Sequence, residues 1–489
     1  MSAAAPLRRG WCPGLARPMR TGDGLLARLH PIGGMLTAEH ARAVAAAARL
    51  FGNGLVDITS RGNLQIRGLS EATHPLLVDT LLEAGIVEPA RAEPPYRVTI
   101  GSPLAGLDPS DLVDACALAL AIERAAEGCA DLPAKFAIAV DGGGAFSLDA
   151  VPADLRLIAT ATPAGIVVAL ALAAPAHSPH PEGGARRPSR RMIQEAPEPP
   201  SPYTRRREGP AFPGASFETP RACGPRLLRT RGEDGWDRDV VGALRPDDVV
   251  AAIRTIFERL PRLSRSARIR DLPAHERAAL LAGIALEPAP ERPHRPSARR
   301  TGLLPIAEGR VAALVAAPSG SLAAQQLDDA AAWSEHYGAG DLRLAAGRGL
   351  CLPGLSAEDA PRVLALAEEA GFVVRDDDPR LAVVACAGAP ACASGARETR
   401  ADAARIAAAA PGLARAGLTV HLSGCEKGCA HPAPADLTLV GSPRGYGLVI
   451  GGRAGDAPLA HLPLETIANE LGRLRSRADL ASLVGEDRS

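Results

Sequence analysis

Lysine is almost absent from this sequence, and so is any net charge. The 55 Lys and Arg residues include only two lysines, Lys135 and Lys427, and they balance the 55 Asp and Glu residues. The preference for arginine is typical of a biased genome composition and carries no functional weight by itself. A general nucleic-acid-binding protein usually has an excess of basic residues. We therefore expect no nucleic acid among the partners of this protein.

Segments that direct a chain to a membrane are also missing. The pair Arg8-Arg9 is followed by no apolar run, so we predict no signal peptide. One apolar run, 157–176, is long enough to cross a bilayer, but a turn signal at 163–165 interrupts it. We interpret this run as two buried strands, and we expect a cytoplasmic protein that contacts no membrane.

Two further absences concern redox chemistry. The nine cysteines are an odd, unevenly spaced set, which is not typical of a secreted disulfide framework. No G-x-G-x-x-G motif follows a predicted strand, so there is no visible dinucleotide-binding fold. Electrons from NADH would therefore have to arrive through a separate protein.

What the sequence does contain is an internal repeat. Residues 34–54 match 320–340 at an offset of 286, and glycines keep this register beyond the block. A second block, 136–143, matches 418–425 at an offset of 282. Self-similarity of this kind indicates duplicated structural units. We predict two homologous halves related by a pseudo-twofold axis, with a ligand bound where the halves meet.

Each half is predicted to be α+β, in the order strand, helix, strand, strand, helix, then a mixed α/β unit. In the first half a helix is expected at 38–50, and two strands flank a turn at 60–63. The Pro/Arg-rich segment at about 177–235 is interpreted as a mobile linker or surface insertion. The predicted boundaries are 1–90 and 91–265 for the first copy, 266–308 for a connecting segment, and 309–378 and 379–489 for the second copy.

Four cysteines lie on two loops of the second copy only. The first copy has Ser102 and Gly142-Gly143 in the equivalent places. Four thiolates on two loops can hold zinc or an iron–sulfur cluster. The wide spacing and the small neighbouring residues favour a [4Fe–4S] cluster, with zinc and unrelated buried cysteines as the alternatives. The four residues are Cys386, Cys392, Cys425 and Cys429, in the patterns C-x5-C and C-x3-C.

The first copy supplies positive charge instead. Arg61 lies in the predicted turn at the position where the second copy has Gly347, and Arg67 follows on the next strand. Arg97 begins a later strand segment, and Lys135 precedes another. A guanidinium group matches carboxylates, and an ammonium group is a compact charge; for each residue a solvated surface charge is the alternative. A redox cluster in one half that faces cationic loops of the other suggests electron delivery to a bound polyanion.

These features together resemble the sulfite/nitrite reductase superfamily. The cysteine pairs, the duplicated chain and the segments TSRGNLQI (59–66) and LPAKFAIAV (132–140) carry the resemblance. It implies a ferredoxin-like half-domain plus a mixed α/β domain in each half, and a [4Fe–4S] cluster next to a sirohaem. The implied cluster ligands are Cys386, Cys392, Cys425 and Cys429.

The resemblance also implies roles for the cationic residues. Arg61 matches an arginine that binds tetrapyrrole carboxylates, and Arg97 falls near another. Lys135 matches the first of two lysines that bind the inorganic anion in the reductases, but the second of these lysines is replaced by Ala137. This departure argues against sulfite or nitrite reduction and leaves more room for O2 chemistry.

Within the superfamily, the segments at 8–29, 102–109 and 423–432 resemble the precorrin-3B synthase family of aerobic cobalamin biosynthesis. The resemblance implies a monooxygenase that hydroxylates precorrin-3A at C20 with lactone formation. It uses O2 and an external electron donor, NADH through a reductase or a ferredoxin. It also implies a [4Fe–4S] cluster and a mononuclear non-haem iron. The ligands of that iron cannot be named from the sequence, although His421 and His431 flank the second cysteine pair.

Two other functions stay open at this point. One is a sirohaem-dependent assimilatory sulfite or nitrite reductase, in which the last cysteine would also bridge to the sirohaem iron. Precorrin-3A holds no metal, so we expect Cys429 to ligate the cluster only. The other is a non-catalytic iron–sulfur protein that carries a tetrapyrrole. In every case Lys427, between Cys425 and Cys429, is interpreted as offsetting the negative charge of the cluster, and contact with solvent is the alternative.

Overall fold

The structure is a computed structural model. It describes residues 12–87, 97–129, 131–133, 135–173, 238–264, 268–291, 299–474 and 476–484. The segment at about 177–235, for which the sequence predicts a mobile linker, lies outside the described residues. Its role stays a prediction.

Within the described residues, the two halves contain the same order of strands and helices apart from one additional short helix in each. The first half contains β1 (Met19–Thr21), β2 (Gly24–Leu29), β3 (Met35–Thr37), α1 (Ala38–Phe51), β4 (Leu55–Ile58), β5 (Leu64–Leu69), α2 (Thr73–Glu83), β6 (Thr99–Gly101), α3 (Ala115–Ala126), β7 (Ile138–Asp141), β8 (Leu155–Thr162), β9 (Gly165–Ala173), β10 (Arg238–Leu244), α4 (Val249–Leu263) and α5 (Ala274–Leu281). The second half contains β11 (Gly302–Pro305), β12 (Val311–Ala316), β13 (Ser321–Ala323), α6 (Ala324–Tyr337), β14 (Asp341–Ala345), β15 (Gly349–Leu355), α7 (Ala360–Glu369), α8 (Pro379–Ala382), β16 (Val383–Ala385), α9 (Thr399–Ala409), β17 (Val420–Ser423), β18 (Leu437–Ser442), β19 (Gly445–Ile450), β20 (Ala460–Leu462) and α10 (Leu464–Arg473).

Helix α1 forms where the alanine-rich pattern predicted it. The hydroxyl of Thr37 accepts a hydrogen bond from the backbone N–H of His40 at 3.1 Å and so caps the first turn. The alanines and Val44 on one face of the helix are buried. Because these side chains are small, α1 packs closely against its counterpart α6.

One short strand from each half completes a sheet of the other half. β13 pairs antiparallel with β4, and Ser321 lies opposite Asp57. β14 pairs antiparallel with β3, and Asp341 lies opposite Thr37. The resulting five-stranded sheets have the orders β1-β2-β5-β4-β13 and β11-β12-β15-β14-β3. This reciprocal exchange confirms the pseudo-twofold arrangement that the repeat predicted.

A single hydrophobic core lies under these two sheets. It includes Val44 and Leu64 from the first half together with Leu327 and Leu352 from the second. All four side chains are fully buried, and burial of each such side chain stabilises the fold by about 1.5 to 3 kcal/mol. The blocks predicted as 1–90 and 309–378 therefore share one core.

Each half also has a separate five-stranded α/β sheet with its own core. The orders are β10-β9-β8-β7-β6 and β16-β17-β18-β19-β20. In both sheets the first three strands in chain order are parallel and the later ones are antiparallel. Residues 157–173 of the apolar run belong to the hairpin β8–β9, in which Thr162 lies opposite Gly165, as the turn signal predicted. The last three residues of the run lie outside the described residues. Within the described ranges, no helix is both long and apolar enough to cross a bilayer.

Candidate functional site

The cysteines enter the site from the carboxyl ends of two neighbouring parallel strands. β16 and β17 pair with Ala385 opposite Leu422. Cys386 directly follows β16, and Cys425 stands two residues after the last residue of β17. Carboxyl ends of parallel strands meet at the same edge of a sheet, so the fold places both cysteine loops at one edge.

The four predicted ligands lie within electrostatic range of one another. The pKa of the Cys429 thiol is raised first by burial and then by the charges of Cys425, Cys386 and Cys392. The ammonium group of Lys135 has the opposite effect on this pKa. The charge of Lys135 in the first half therefore acts on the cysteine loops of the second half.

The surroundings of Cys386 fit a metal-bound thiolate. Its Sγ accepts the backbone N–H of Gly424 at 3.2 Å and lies 3.5 Å from Oγ1 of Thr399. A Cβ added to Gly424 would lie 3.1 Å from Cα of Gly395 and 3.5 Å from that sulfur. The absence of this Cβ lets a backbone donor approach a ligand sulfur, a contact that tunes iron–sulfur clusters.

No ligand set for a single metal ion accompanies these thiols. Among the described residues, no three His, Cys, Asp or Glu side chains are close enough together to bind one ion. Zinc in a tetrahedral four-cysteine site needs such a set. In a [4Fe–4S] cluster each thiolate binds a different iron, so the ligands stand farther apart. The assignment of the four cysteines to a [4Fe–4S] cluster stays a prediction.

The first cysteine loop rests on the first half of the chain. The carbonyl of Ala391 accepts a hydrogen bond from Nη2 of Arg67 at 2.6 Å and another from the backbone N–H of Gly22 at 3.1 Å. Arg67 is buried and also pairs with Asp23 at 3.1 Å. The contact fixes the loop between Cys386 and Cys392 against β1 and β5.

Lys427 connects the two cysteine loops. Its Nζ donates a hydrogen bond to Oγ of Ser394 at 2.9 Å. Lys427 is also exposed, so contact with solvent stays open as the alternative for this residue. Its expected effect on the charge of a cluster stays a proposal.

Three of the four predicted cationic residues, all except Arg67, converge on the turn between β4 and β5. Nη1 of Arg61 donates to the carbonyl of Lys135 at 2.9 Å. Nη1 of Arg97 donates to the carbonyl of Gly62 at 3.2 Å, next to Arg61 in the chain. Through the charge of Lys135, this cationic group also acts on Cys429.

The environment of Arg61 suits an anionic ligand. Burial, followed by the charge of Arg268, lowers its pKa to about 10, although Asp154 opposes the shift. The side chain still carries its charge at neutral pH. A bound carboxylate would relieve both the desolvation and the repulsion from Arg268.

The sequence reasoning missed a second group of arginines in the half that carries the cysteines. Arg348 donates from Nη2 to the carbonyl of Ala430, directly after Cys429, at 2.8 Å. Burial and the nearby charges of Arg300 and Arg400 lower the pKa of Arg348 to about 10. Positive charge is therefore not confined to the first copy. A signal for it does exist in the sequence, since Arg348 stands at the offset of 286 from a glycine.

His421 is a fully buried histidine on β17. Its ring centroid lies 5.7 Å from that of His431, and neither ring nitrogen has a hydrogen-bond partner among the described residues. Burial, helped by the charges of His431 and Arg348, lowers its pKa to about 3. The imidazole is therefore neutral at physiological pH.

Replacement of His421 by leucine should flatten the pH dependence of stability. In wild type the unfolded chain binds a proton near pH 6.5 and the folded chain only near pH 3, so stability is lost as the pH falls between these values. From pH 7 to pH 5, urea unfolding should show a loss about 2 kcal/mol larger for wild type than for His421→Leu. Equal losses in the two proteins would show that His421 does not titrate in this way.

In the first half, the two loops that correspond to the cysteine loops are held together by carboxylates instead of thiols. Asp108 accepts the backbone N–H of Ala145 at 2.6 Å, and Asp111 accepts that of Gly144 at 3.1 Å. Asp141 accepts the N–H of Gly143 at 3.0 Å. Carboxylates thus tie together the two loops that follow β6 and β7.

Replacement of Asp108 by alanine should therefore destabilise the fold without affecting metal content. Loss of a charged acceptor leaves the N–H of Ala145 unsatisfied and should lower the free energy of unfolding by about 1.5 to 3 kcal/mol. Chemical denaturation and iron analysis of the same preparations would check this. The exposed Asp131, changed to alanine, is the control, and a parallel loss of iron in Asp108→Ala would contradict the expectation.

Comparison with known proteins agrees with this architecture. The family model "Nitrite/Sulfite reductase ferredoxin-like half domain" matches residues 17–84 and again 306–370. The solved structure of Mycobacterium tuberculosis NirA protein covers 92% of this chain, and this chain covers 80% of it, with a TM-score of 0.65 at 19% identity. This likeness shows the fold alone, and with the family match it confirms the predicted duplicated fold with ferredoxin-like half-domains.

Two relatives are informative in sequence. A ferredoxin–nitrite reductase of Synechococcus elongatus is 33% identical over 156 residues, which are 30% of this chain and 30% of that protein. A precorrin-3B synthase of Sinorhizobium sp is 35% identical over 477 residues, which are 96% of this chain and 89% of that protein. The first match is partial, and the second spans nearly the whole length of both chains. The chain therefore belongs to the precorrin-3B synthase family, a branch of the sulfite/nitrite reductase superfamily.

Proposed function

We propose that the protein is a precorrin-3B synthase, an O2-dependent monooxygenase of aerobic cobalamin biosynthesis. It hydroxylates precorrin-3A at C20, and the ring-A acetate closes a lactone. One oxygen atom enters the macrocycle, and the other leaves as water after it takes up two electrons and two protons. The observation that carries the proposal is that the charge of Lys135, whose backbone carbonyl holds Arg61, acts on the second cysteine loop.

The cationic residues bind the carboxylates of the tetrapyrrole. Arg61 keeps Nη1 on the carbonyl of Lys135, and its other donors are available to a ligand. Lys135 is exposed and adds a compact charge at the same place. Arg97 holds the carbonyl of Gly62 and so supports the turn that presents Arg61. Together they fix the macrocycle close to the cysteine loops.

The cysteine loops hold the redox centre. Cys386, Cys392, Cys425 and Cys429 would hold a [4Fe–4S] cluster, and that group would supply electrons one at a time. The backbone N–H of Gly424 stabilises the thiolate charge of Cys386, and the bond from Lys427 to Ser394 keeps the two loops at a fixed separation. The electrons come from an external donor, NADH through a reductase or a ferredoxin.

The residue at 137 favours this function over sulfite or nitrite reduction. The side chain of Ala137 is buried in an apolar cluster with Leu104, Ala139 and Phe146, and its backbone N–H donates to Asp154 at 2.9 Å. A second cationic side chain for a small inorganic anion has no place there. No step is assigned to a mononuclear iron, because the described residues provide no ligand set for one.

A turnover experiment under controlled O2 tests the proposal. The protein with its cluster reconstituted is incubated anaerobically with precorrin-3A and reductant, and isotopically labelled O2 is then admitted. We expect a product that is heavier by one labelled oxygen atom. Tight binding of precorrin-3A with no gain in mass would favour a carrier, and a bound sirohaem with dye-dependent reduction of sulfite or nitrite would favour a reductase.

A further inference from the structure

Arg348 has a backbone conformation that suits glycine. It lies in the turn between β14 and β15 with φ at +74°, and its counterpart in the first half, Gly62, has φ at +67°. For a residue with a Cβ this left-handed region costs free energy, and such residues concentrate at functional sites. The second half therefore holds a large charged side chain at a position where the backbone alone would favour glycine.

The side chain of Arg348 occupies the place that Arg97 occupies in the first half. A Cβ added to Gly320 would lie 2.5 Å from Cδ of Arg348, and a Cβ added to Gly34 would lie 2.7 Å from Nη1 of Arg97. Gly34 and Gly320 are equivalent at the offset of 286. Arg97 stands two residues before β6, and the residue two positions before the equivalent strand β16 is Leu381. The second half thus has no counterpart of Arg97. Instead, the side chain of Arg348 extends over Gly320, as the side chain of Arg97 extends over Gly34.

The guanidinium of Arg348 has no carboxylate partner among the described residues. Its single hydrogen bond to a described residue goes to the carbonyl of Ala430. The nearby Asp57 is already paired with Arg400 at 2.7 Å, and Arg300 donates to the carbonyls of Leu381 and Gly347. Arg348 therefore retains hydrogen-bond donors, and its charge is repelled by those of Arg300 and Arg400 while Asp57 opposes them. This environment suits an anionic ligand.

The turn that carries Arg348 is bonded to the turn that carries Arg61. The backbone N–H of Gly347 donates to the carbonyl of Ser60 at 3.0 Å. From this junction Arg61 extends to Lys135 in the first half, and Arg348 extends to Ala430 in the second. The side chains of Arg61 and Arg348 thus start from two bonded turns and extend toward different halves of the chain. We expect a ligand to lie between these halves.

We propose that Arg348 binds a carboxylate of the tetrapyrrole substrate, as the counterpart of Arg61 supplied by the half that carries the cysteines. This inference rests on the proposed function, because it assumes a polycarboxylate macrocycle. The bond to Ala430 places that contact next to Cys429, so one residue connects substrate binding with the second cysteine loop.

The test uses the full chain with its cluster reconstituted and the stable octacarboxylate uroporphyrin III as probe. Binding is measured by quenching of porphyrin fluorescence for wild type, Arg348→Gly and Arg348→Lys. Arg444→Gly is the matched control, because Arg444 is an exposed arginine in another turn. Glycine matches the backbone at position 348, so Arg348→Gly should keep or raise the melting temperature and keep the iron content of wild type.

We expect Arg348→Gly to weaken probe binding at least tenfold, since a hydrogen bond to a charged group is lost. Arg348→Lys should recover part of the affinity, and Arg444→Gly should bind like wild type. Equal affinities for wild type and Arg348→Gly would overturn the inference and leave the proposed function intact. If wild type itself does not bind uroporphyrin III, the polycarboxylate site fails, and both proposals are overturned.

Discussion

Replacement of Cys425 by serine is expected to remove most of the iron and acid-labile sulfide from the protein. Serine does not supply the soft thiolate that an iron–sulfur cluster requires. The EPR signal of the reduced protein should disappear, and O2-dependent turnover of precorrin-3A should fall more than about 100-fold. Metal and sulfide analysis, EPR and a mass-spectrometric assay on one preparation measure all three effects.

The matched control for this change is Cys129→Ser. Cys129 is also a partly buried free thiol, but it lies outside the two cysteine loops. The Cys129→Ser protein should retain the iron, the sulfide, the EPR signal and the activity of wild type. A Cys425→Ser protein with the full iron and sulfide content would show that these loops do not hold the cluster, whatever happened to its activity.

Replacement of Arg61 by glutamine is expected to lower kcat/KM for precorrin-3A by about 10- to 100-fold, because a hydrogen bond between charged groups contributes about 1.5 to 3 kcal/mol. Most of the effect should be a higher KM, since the contact is made in the bound substrate as well as in the transition state. Steady-state kinetics with reconstituted protein measures it. In Arg61→Lys the decrease in kcat/KM should be smaller, because lysine keeps the positive charge. Some decrease should remain, because lysine lacks the guanidinium fork.

A surface arginine provides the comparison for Arg61. Arg310 is exposed, and Arg310→Gln should leave kcat/KM unchanged. The iron content of Arg61→Gln should equal that of wild type, which separates a loss of substrate binding from a loss of the cluster. Wild-type kinetics in Arg61→Gln would remove this residue from the substrate site.

Much of the fold can be predicted because the chain repeats. The offset of 286 by itself relates β3 to β13 and α1 to α6. Comparison of the apolar run 157–176 with its charged counterpart indicates a hairpin. The exchange of β3 and β13 between the sheets could not be predicted, since alternating patterns show which face of a strand is buried but not which strand is its neighbour.

The candidate site shows a similar division. The spacing of the four cysteines identifies them as a set, because their local patterns are unusual and occur in one copy only. The sequence groups Arg67 with the cationic residues of the first copy, but it is paired with Asp23 and holds the carbonyl of Ala391. Nothing in the sequence around Arg67 distinguishes it from Arg61, because the partners of both are distant in the chain.

The sequence by itself determined the duplication, the α+β class, the two cysteine loops and the family. Each of these follows from local pattern or from comparison of one segment with another. Only the tertiary structure decided that the two halves share one core, that Arg67 of the first half holds the first cysteine loop, and that Arg348 lies next to the second cysteine loop. These facts depend on contacts between residues far apart in the chain, and such contacts are set by packing and burial rather than by local sequence.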